Sequence, residues 1–264
     1  MFPQLHIRLL TWSLKRIDHT WGTREHHDPY WRMYINSGPG AVLELPGGPY
    51  AIRPDYVHVI PPWVRLRCHA SRPLDHFYCH FDLIGLSMPM VKELFDQPVA
   101  LKAVGAFRSV NRVLGSAARG QGVIGLCYIK SLIYSRLMEL LRAWPAERRQ
   151  RLERLLSGGL QFASVIHYIE NHLAEPLGNE VLAEICHLSV SHFTRSFRKA
   201  TGQTPAQYLQ DRRIAAAAHA LSFTDESIEH IAGQTGFANR FYFSRVFTET
   251  MGQPPARYRK ISRA

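Results

Sequence analysis

The sequence predicts an α+β protein whose first third forms β-strands and whose remainder is helical. Three observations lead to this class. Short apolar runs alternate with Gly/Pro turns up to residue 85, apolar residues then recur at helical spacing, and a 16-residue stretch returns 50 residues later. With 264 residues, 46% of them hydrophobic and 20% charged, the chain has the composition of a globular protein of one or two domains.

The β-rich part extends to about residue 85. Runs such as WRMYI, AVLEL and VHVI are separated by SGPG, PGGP and RPD, and regular short strands of this kind predict a sandwich or a barrel. In the last run, HFYCHF, successive side chains point to opposite faces of the strand. His76, Tyr78 and His80 therefore share one face, and mixed aromatic and polar groups there suit a small polar ligand. The alternative, that all three are ordinary core or surface residues, is left open.

The middle of the chain is predicted to be helical. Between Gly122 and Trp144, apolar residues recur at helical spacing, and such a stripe faces either the core or a second copy of the chain. Pro145 ends this helix. The charged segment after it closes with a Gly pair and is the best candidate for a boundary.

An internal repeat organises the C-terminal part. Residues 193–208 and 243–258 are identical at eight of sixteen positions. The matched pairs are Phe193/Phe243, Arg195/Arg245, Phe197/Phe247, Gly202/Gly252, Gln203/Gln253, Pro205/Pro255, Ala206/Ala256 and Tyr208/Tyr258. Upstream the best match slips to a shift of 49, so the second copy has one extra residue in its turn. We interpret the repeat as two helix-turn-helix units, referred to below as the first and second repeat.

Each repeat ends in a similar stretch, GQTPAQY at 202–208 and GQPPARY at 252–258, which we call the first and second brace. The glycine of each brace suits the left-handed position after a helix, and Pro205 and Pro255 suit the first turn of the next helix. The two tyrosines are predicted to fold back onto the phenylalanines. A long helix over residues 206–222 then separates the two repeats.

The second helix of each repeat is predicted to read DNA. Its two phenylalanines face inward, so the opposite face is exposed, and short polar residues with an Arg near a helix N-terminus suit the major groove. The exposed residues are Ser191, Thr194, Arg195 and Arg198 in the first repeat and Arg240, Phe241, Ser244 and Arg245 in the second. Phe241 is the doubtful member, because it either touches a thymine methyl or packs. An ordinary solvated helix face is the alternative for each repeat, and the matched Arg195 and Arg245 disfavour it.

Net charge and composition limit the kinds of partner and the cellular location that we expect. The net charge of +11 favours an acidic partner, yet residues 161–264 hold 11 Lys and Arg against 9 Asp and Glu, so the case for DNA rests on the motif. No apolar run is long enough to span a membrane, and the first 20 residues do not form a clean signal peptide, so we expect a cytoplasmic protein. None of the four cysteines forms a CxxC pair, and reduced thiols are expected.

Catalysis is not expected. A metal enzyme has enough histidines in principle, but no HxH followed by Glu and a later His occurs. The histidines considered are His26, His27, His58, His69, His76 and His80. A GxSxG hydrolase motif is also absent from the sequence, so we predict no enzyme activity, no cofactor and no metal.

The stretch LAEICHLSVSHFTRSFRKATGQTPAQYLQDRRIAAAAHAL, followed by SIEHIAGQTGFANRFYFSRVFTETMGQPPARYR, closely resembles the AraC/XylS family of bacterial transcription regulators. The resemblance implies a double helix-turn-helix DNA-binding domain over 161–264, a cupin-like effector barrel over 1–85 and a helical dimerisation and linker region over 86–160. By position, Ser191, Thr194, Arg195, Arg240, Ser244 and Arg245 would read bases. The implied partners are a double-stranded DNA operator, RNA polymerase, a small-molecule effector and a second copy of the chain.

The resemblance also implies a regulator, usually an activator, that senses a small polar metabolite such as a sugar. The run YAIRPDYVHVIPP resembles the family's strand–turn–strand, with Pro54-Asp55-Tyr56 in place of the usual Pro-Gly-Asp turn. His76 and Tyr78 match ligand-facing residues of arabinose-type regulators. The alternative function is a ligand-independent DNA-binding regulator whose N-terminal domain only dimerises.

Overall fold

The computed structural model describes residues 5–22, 25–115 and 122–263. Two compact units are present. Among the described residues, Ile7–Leu83 and Asp96–Arg149 form a sheet unit, whereas residues 5–6 and Ile84–Phe95 join residues 150–263 in a helical unit.

The sheet unit contains two antiparallel sheets. The strands are β1 (His6–Ile17), β2 (Glu25–His26), β3 (Trp31–Asn36), β4 (Ala41–Leu45), β5 (Gly48–Ile52), β6 (Tyr56–Ile60), β7 (Leu66–Ala70), β8 (Leu74–Ile84) and β9 (Val99–Lys102). One sheet has the order β1-β8-β3-β6-β9, and the other has the order β2-β7-β4-β5. Strands of both sheets contribute to one shared core, which holds Leu43 of β4, Ile60 of β6 and Leu66 of β7. The two sheets therefore pack against each other, as in a sandwich.

The pairing of β3 with β8 decides which side chains meet inside this unit. Asn36 lies opposite His76, Tyr34 opposite Tyr78, and Arg32 opposite His80. Because directly opposed residues of a sheet point to the same face, all six side chains share one face.

Among the residues described in the sheet unit, the helices α2 (Ala106–Leu114) and α3 (Val123–Ala143) follow the strands. Helix α3 buries Ile129, Ile133, Leu137 and Leu140 and ends before Pro145. This helix has the position and the apolar stripe that the sequence predicts.

The remaining described helices belong to the helical unit, except that the first four residues of α4 are counted with the sheet unit. They are α1 (Met88–Leu94), α4 (Ala146–Gly159), a 3-10 turn (Leu160–Phe162), α5 (Ala163–Asn171), α6 (Asn179–Ile185), α7 (Val190–Thr201), α8 (Pro205–Phe223), α9 (Ile228–Gln234), α10 (Arg240–Met251) and α11 (Pro255–Arg263). Among the helices described, none is both long enough and apolar enough to cross a membrane.

The predicted α+β class is confirmed: strands occupy the N-terminal part and two helix-turn-helix repeats occupy the C-terminal part. The finer expectation of a barrel differs from what is seen. Within the described ranges the strands form two open sheets, and no closed barrel is found among them. The larger sheet ends at the edge strands β1 and β9, and the smaller sheet ends at β2 and β5.

Candidate nucleic-acid interface

The first repeat consists of α6 and α7. Its core is a cluster of rings in which Phe193 and Phe197 have no exposed surface and lie 5.6 Å apart between centroids, and Phe162 contacts both. Ser189 caps α7 by accepting a hydrogen bond from the backbone N–H of His192. Because the ring pair fixes which side of α7 faces inward, the opposite side is left to solvent.

That outer side carries the residues that the sequence selects. Ser191, Arg195 and Arg198 are exposed, and Thr194 is half-buried. Their spacing of three and four residues places them along one face of α7. The structure therefore brings these four residues together on one exposed helix face.

Both braces have the predicted backbone. Gly202 and Gly252 follow α7 and α10 with φ of 80° and 73°, a left-handed conformation that glycine adopts without a steric penalty. Pro205 and Pro255 are the first residues of α8 and α11. Each brace thus ends one helix and starts the next within three residues.

The brace tyrosines close the cores of the repeats. Tyr208 contacts Phe197 at 5.8 Å between ring centroids, and Tyr258 contacts Phe247 at 5.3 Å, both edge-on. Thr204 and Gln207 form a reciprocal capping box at the start of α8. The predicted folding back of both tyrosines onto phenylalanine rings is confirmed.

The turns inside the two repeats differ by the one residue that the sequence comparison indicates. His187 in the first turn and Gly236 in the second both have positive φ, 53° and 80°. The backbone N–H of the next residue, Leu188 or Phe237, donates back to the first helix at Ala183 or Ala232. The extra residue of the second turn follows this shared geometry and precedes the cap Asn239.

In the second repeat, α10 presents the other predicted reading face. Asn239 caps this helix by accepting from the backbone N–H of Tyr242 at 2.8 Å. Arg240 and Arg245 are exposed, Ser244 is half-buried, and Phe241 is 86% exposed. The alternative that Phe241 packs into the core is therefore wrong.

The two matched arginines have different surroundings. Arg245 donates to the carboxylate of Glu249 at 3.1 Å, and its guanidinium lies 5.3 Å from the centre of the Tyr242 ring. At the matched position of the first repeat, Lys199 replaces Glu249. In the part of the chain that the structure describes, no carboxylate lies within ion-pair distance of Arg195.

The long helix α8 is anchored to α5 and to the residues that directly follow α5. Arg212 forms a two-point ion pair with Glu170 of α5, at 2.6 and 3.3 Å, and the Tyr208 hydroxyl donates to the same carboxylate. Arg213 donates to the backbone carbonyls of Leu173 and Glu175. Burial raises the pKa of Asp211 on this helix to about 6, against the opposing effect of nearby Lys92.

A segment from far upstream, Ile84–Phe95, packs against the first brace, and we call it the clamp segment. The Ser87 hydroxyl donates to the backbone carbonyl of Thr201 at 2.6 Å, in a buried position. Pro89 lies so close that a Cβ added at Gly202 would be 3.1 Å from its ring, whereas nothing lies within 4 Å of the same position at Gly252. The clamp segment therefore touches one of two otherwise matched braces.

In the sheet unit, His76, Tyr78 and His80 lie together with other aromatic side chains. The His76 ring lies 4.9 Å from both Trp21 and Tyr34 and stacks on Tyr78 at 6.0 Å, and its Nδ1 is 2.7 Å from the side-chain oxygen of Asn36. Burial, with a smaller contribution from Lys15, lowers the pKa of His76 to about 3. The imidazole is therefore neutral at physiological pH.

The other two predicted effector residues, Tyr78 and His80, have different surroundings from His76. Tyr78 is half-buried beneath the ammonium group of Lys15, 5.2 Å from the ring centre, and burial raises the pKa of its hydroxyl. His80 is buried and stacks on Tyr30 at 4.8 Å. The structure thus brings the three predicted effector residues onto one face of the sheet.

The chain's relatives identify its family. A family profile described as a helix-turn-helix domain matches residues 182–261. The MmsAB operon regulatory protein of Pseudomonas aeruginosa is 32% identical over 251 residues, which cover 90% of this chain and 77% of that protein. The chain belongs to the AraC family of transcriptional regulators. As a member of the AraC family it is a DNA-binding regulator and not an enzyme, as its sequence predicts.

Two further comparisons cover about one third of the chain and nearly all of it. The RhaS activator of Escherichia fergusonii is 35% identical over 96 residues, 36% of this chain and 34% of that protein. The crystal structure of ToxT from Vibrio cholerae matches 95% of this chain and 97% of its own with a TM-score of 0.53 at 12% identity. At that identity the ToxT match concerns the fold alone, and it extends over both the sheet-containing and the helical parts.

Sequence reasoning missed several residues of these sites. Tyr34 and Asn36 alternate along WRMYIN as His76 and Tyr78 do along HFYCHF, and this period of two was the available signal. Nothing local indicated the contact of Ser87 with Thr201. In the described ranges, no group of three or more His, Cys, Asp or Glu side chains is placed to hold a metal ion.

Proposed function

We propose that this regulator reads a double-stranded operator through the exposed faces of α7 and α10. The observation that carries the proposal is the matched pair Arg195 and Arg245, each exposed midway between two fully buried phenylalanines that lie two positions before and two after it. In this arrangement Ser191, Thr194 and Arg198 extend the first face, and Arg240 and Ser244 extend the second. Arginine can bind guanine through two hydrogen bonds, and the hydroxyls can bond a base edge or a phosphate.

Selection of bound sites from random double-stranded DNA by the full chain tests this proposal. Two short conserved blocks about one helical turn apart are expected, one for each reading helix. Arg195→Ala and Arg245→Ala should each cost about 1–3 kcal/mol of specific binding and relax one block only. Arg154→Ala, which removes an exposed arginine of α4, is the charge control. If either reading variant still distinguishes operator from random DNA as the wild type does, that arginine is not a base reader.

We further propose that the protein activates transcription, near RNA polymerase, when a small polar metabolite such as a sugar binds in the sheet unit. The RhaS relative, whose similarity lies in one third of the chain, is named as an activator. The aromatic rings around His76 suit a sugar face, and the amide nitrogen of Asn36 is buried without a hydrogen-bond partner among the described residues. A buried donor of this kind is satisfied when a ligand oxygen reaches it. The two packed sheets are compatible with a cupin-like effector domain.

Thermal unfolding with a panel of sugars and other polar metabolites tests the effector proposal. A true effector raises the melting temperature of the wild type. Tyr78→Phe should remove most of that rise while leaving the unliganded protein folded, and Tyr128→Phe on α3 is the matched control. No shift across a broad panel would favour the alternative, a ligand-independent regulator whose N-terminal part only dimerises.

We propose that the active form is a cytoplasmic homodimer joined through α3. On the side of α3 away from its buried stripe, Ile124, Tyr134 and Met138 are 71%, 42% and 49% exposed, and Cys127 is exposed between them. Their spacings of three, seven and four residues keep them on one side of the helix as a second apolar stripe, as a helix-pairing surface requires. Sedimentation equilibrium should give a dimer for the wild type and a monomer for Met138→Lys. The limits 1–85, 86–160 and 161–264 for effector, dimerisation and DNA-binding parts belong to the same proposal.

A further inference from the structure

Phe241 is placed on α10 where a core residue is not expected. Its side chain is 86% exposed, whereas Phe193, Phe197, Phe243 and Phe247 in the two repeats are fully buried. Transfer of a phenylalanine ring out of water is favourable, so an isolated, exposed ring on a helix is a candidate contact for a partner. The core of the second repeat is already complete without it, through contacts of Phe243 with Phe237 and Phe247.

Its position on the helix identifies the partner. Phe241 precedes Ser244 and Arg245 by three and four residues, so it shares their face, and Arg240 is its neighbour at the N-terminal end of α10. In the repeat, the matched residue is Ser191, which lies on the exposed face of α7. The ring therefore stands among the residues that approach DNA in a regulator of this family.

The chemistry of the major groove offers one apolar group to such a ring. Base edges there present hydrogen-bond donors and acceptors, and the exception is the C5 methyl group of thymine. A phenylalanine cannot hydrogen-bond through its side chain, so it gains nothing from a guanine or cytosine edge. When a thymine methyl group packs against the ring, in contrast, both the methyl group and the ring are removed from water.

We propose that Phe241 is a specificity-determining residue that selects thymine, through its methyl group, in the half-site read by the second repeat. The first repeat has Ser191 at this position and lacks the preference. The two half-sites of the operator therefore differ in kind: one is read by polar contacts alone, and the other contains an obligatory methyl contact. This inference rests on the assignment of α10 as a reading helix.

Substitution of single thymines by uracil tests the proposal, because uracil pairs in the same way and lacks only the methyl group. The operator is first selected from random DNA with the full chain. In the half-site that loses its definition in Arg245→Ala, one thymine-to-uracil change should weaken wild-type binding about three- to tenfold. At the matched position of the other half-site, which Ser191 faces, a change from thymine to uracil should leave wild-type affinity nearly unchanged.

The variant Phe241→Ser gives the second repeat the residue of the first. Because the native ring is exposed, the melting temperature should not change. This variant should bind the thymine and uracil operators equally, and selection with it should no longer enrich thymine at that position. Phe241→Leu, which keeps an apolar side chain, should retain part of the discrimination.

Two results would overturn the proposal. One is a Phe241→Ser variant that binds more weakly but keeps the wild-type ratio between thymine and uracil operators. The other is a variant whose affinity and selected sequence are both unchanged. If the wild type itself selects no sequence, the failure lies with the reading-helix assignment and not with Phe241 alone.

Discussion

Replacing Glu249 by Gln tests how the second reading helix is held before it meets DNA. In the free protein Arg245 donates to Glu249 at 3.1 Å, and both side chains are about 60% exposed. If Arg245 reads a base, this pair must open on binding. Glu249→Gln removes the competitor without changing the length of the side chain, so the change should tighten operator binding.

The size of the effect follows from the exposure of the pair. An exposed ion pair four residues apart on a helix contributes about 0.3–0.5 kcal/mol, which binding no longer has to overcome. The lost carboxylate would also have repelled the DNA backbone, by about 0.6 kcal/mol at ~7 Å in water before salt screening. Together these contributions amount to about 0.5–1 kcal/mol, or an approximately two- to fivefold lower Kd.

Fluorescence anisotropy with the selected operator, over a range of salt concentrations, measures this change. In an Arg245→Ala background the pair is already absent, so Glu249→Gln should give a smaller gain, and the difference is the coupling energy. Lys199→Gln, at the matched position of the first repeat, removes a cation and should weaken binding. Weaker binding by Glu249→Gln would refute the reasoning, because it would mean that the carboxylate positions the guanidinium in the complex.

Three further predictions concern stability. Gly252→Ala should lower the free energy of unfolding by about 1–2 kcal/mol, because residue 252 has a positive φ. Gly202→Ala should lower it further, because the added Cβ also meets Pro89. Equal losses for the two variants in urea unfolding would exclude the effect of Pro89. Asp211→Asn should stabilise the helical unit above pH 6 by on the order of 1–3 kcal/mol. The reason is that burial raises the pKa of Asp211 to about 6, so deprotonating this side chain in the folded state is costly. The gain in stability should shrink as the pH falls toward 4. Because burial lowers the pKa of His76 to about 3, below the value of the unfolded chain, the unfolded state binds the proton first, and the sheet unit should lose stability as the pH falls from 7 toward 3. His76→Gln should flatten that dependence in thermal melts followed by tryptophan fluorescence.

The sequence predicts best those features that a few neighbouring residues determine. Gly202 and Pro205 set the backbone of a brace within four positions, and Phe193 and Phe197 define the inner face of α7 by spacing alone. These features could be predicted from neighbouring residues, and the same residues at the matched positions of the second repeat supported the prediction. The spacing also placed Phe241 on the outer face of α10, but it left packing as an alternative that only the 86% exposure of the ring removes.

Features made by distant strands or segments could not be predicted. Asn36 meets His76 because β3 pairs with β8 in one particular register, which joins residues 40 positions apart. A different register would place other side chains beside His76. The separation of the strands into two open sheets also depends on pairings between distant residues, whereas the short alternating runs indicated strands without fixing how they pair.

The clamp segment has a consequence for how the protein is made. Ser87 precedes Thr201 by 114 residues. At about 5–20 residues per second, a ribosome needs about 6–23 s to reach Thr201 after Ser87 has been added. During this time Ser87 and Pro89 lack the partners that they meet in the folded chain, Thr201 and Gly202. The first reading helix is therefore completed by a segment that was synthesised before it, and the second repeat forms its own brace without such a wait.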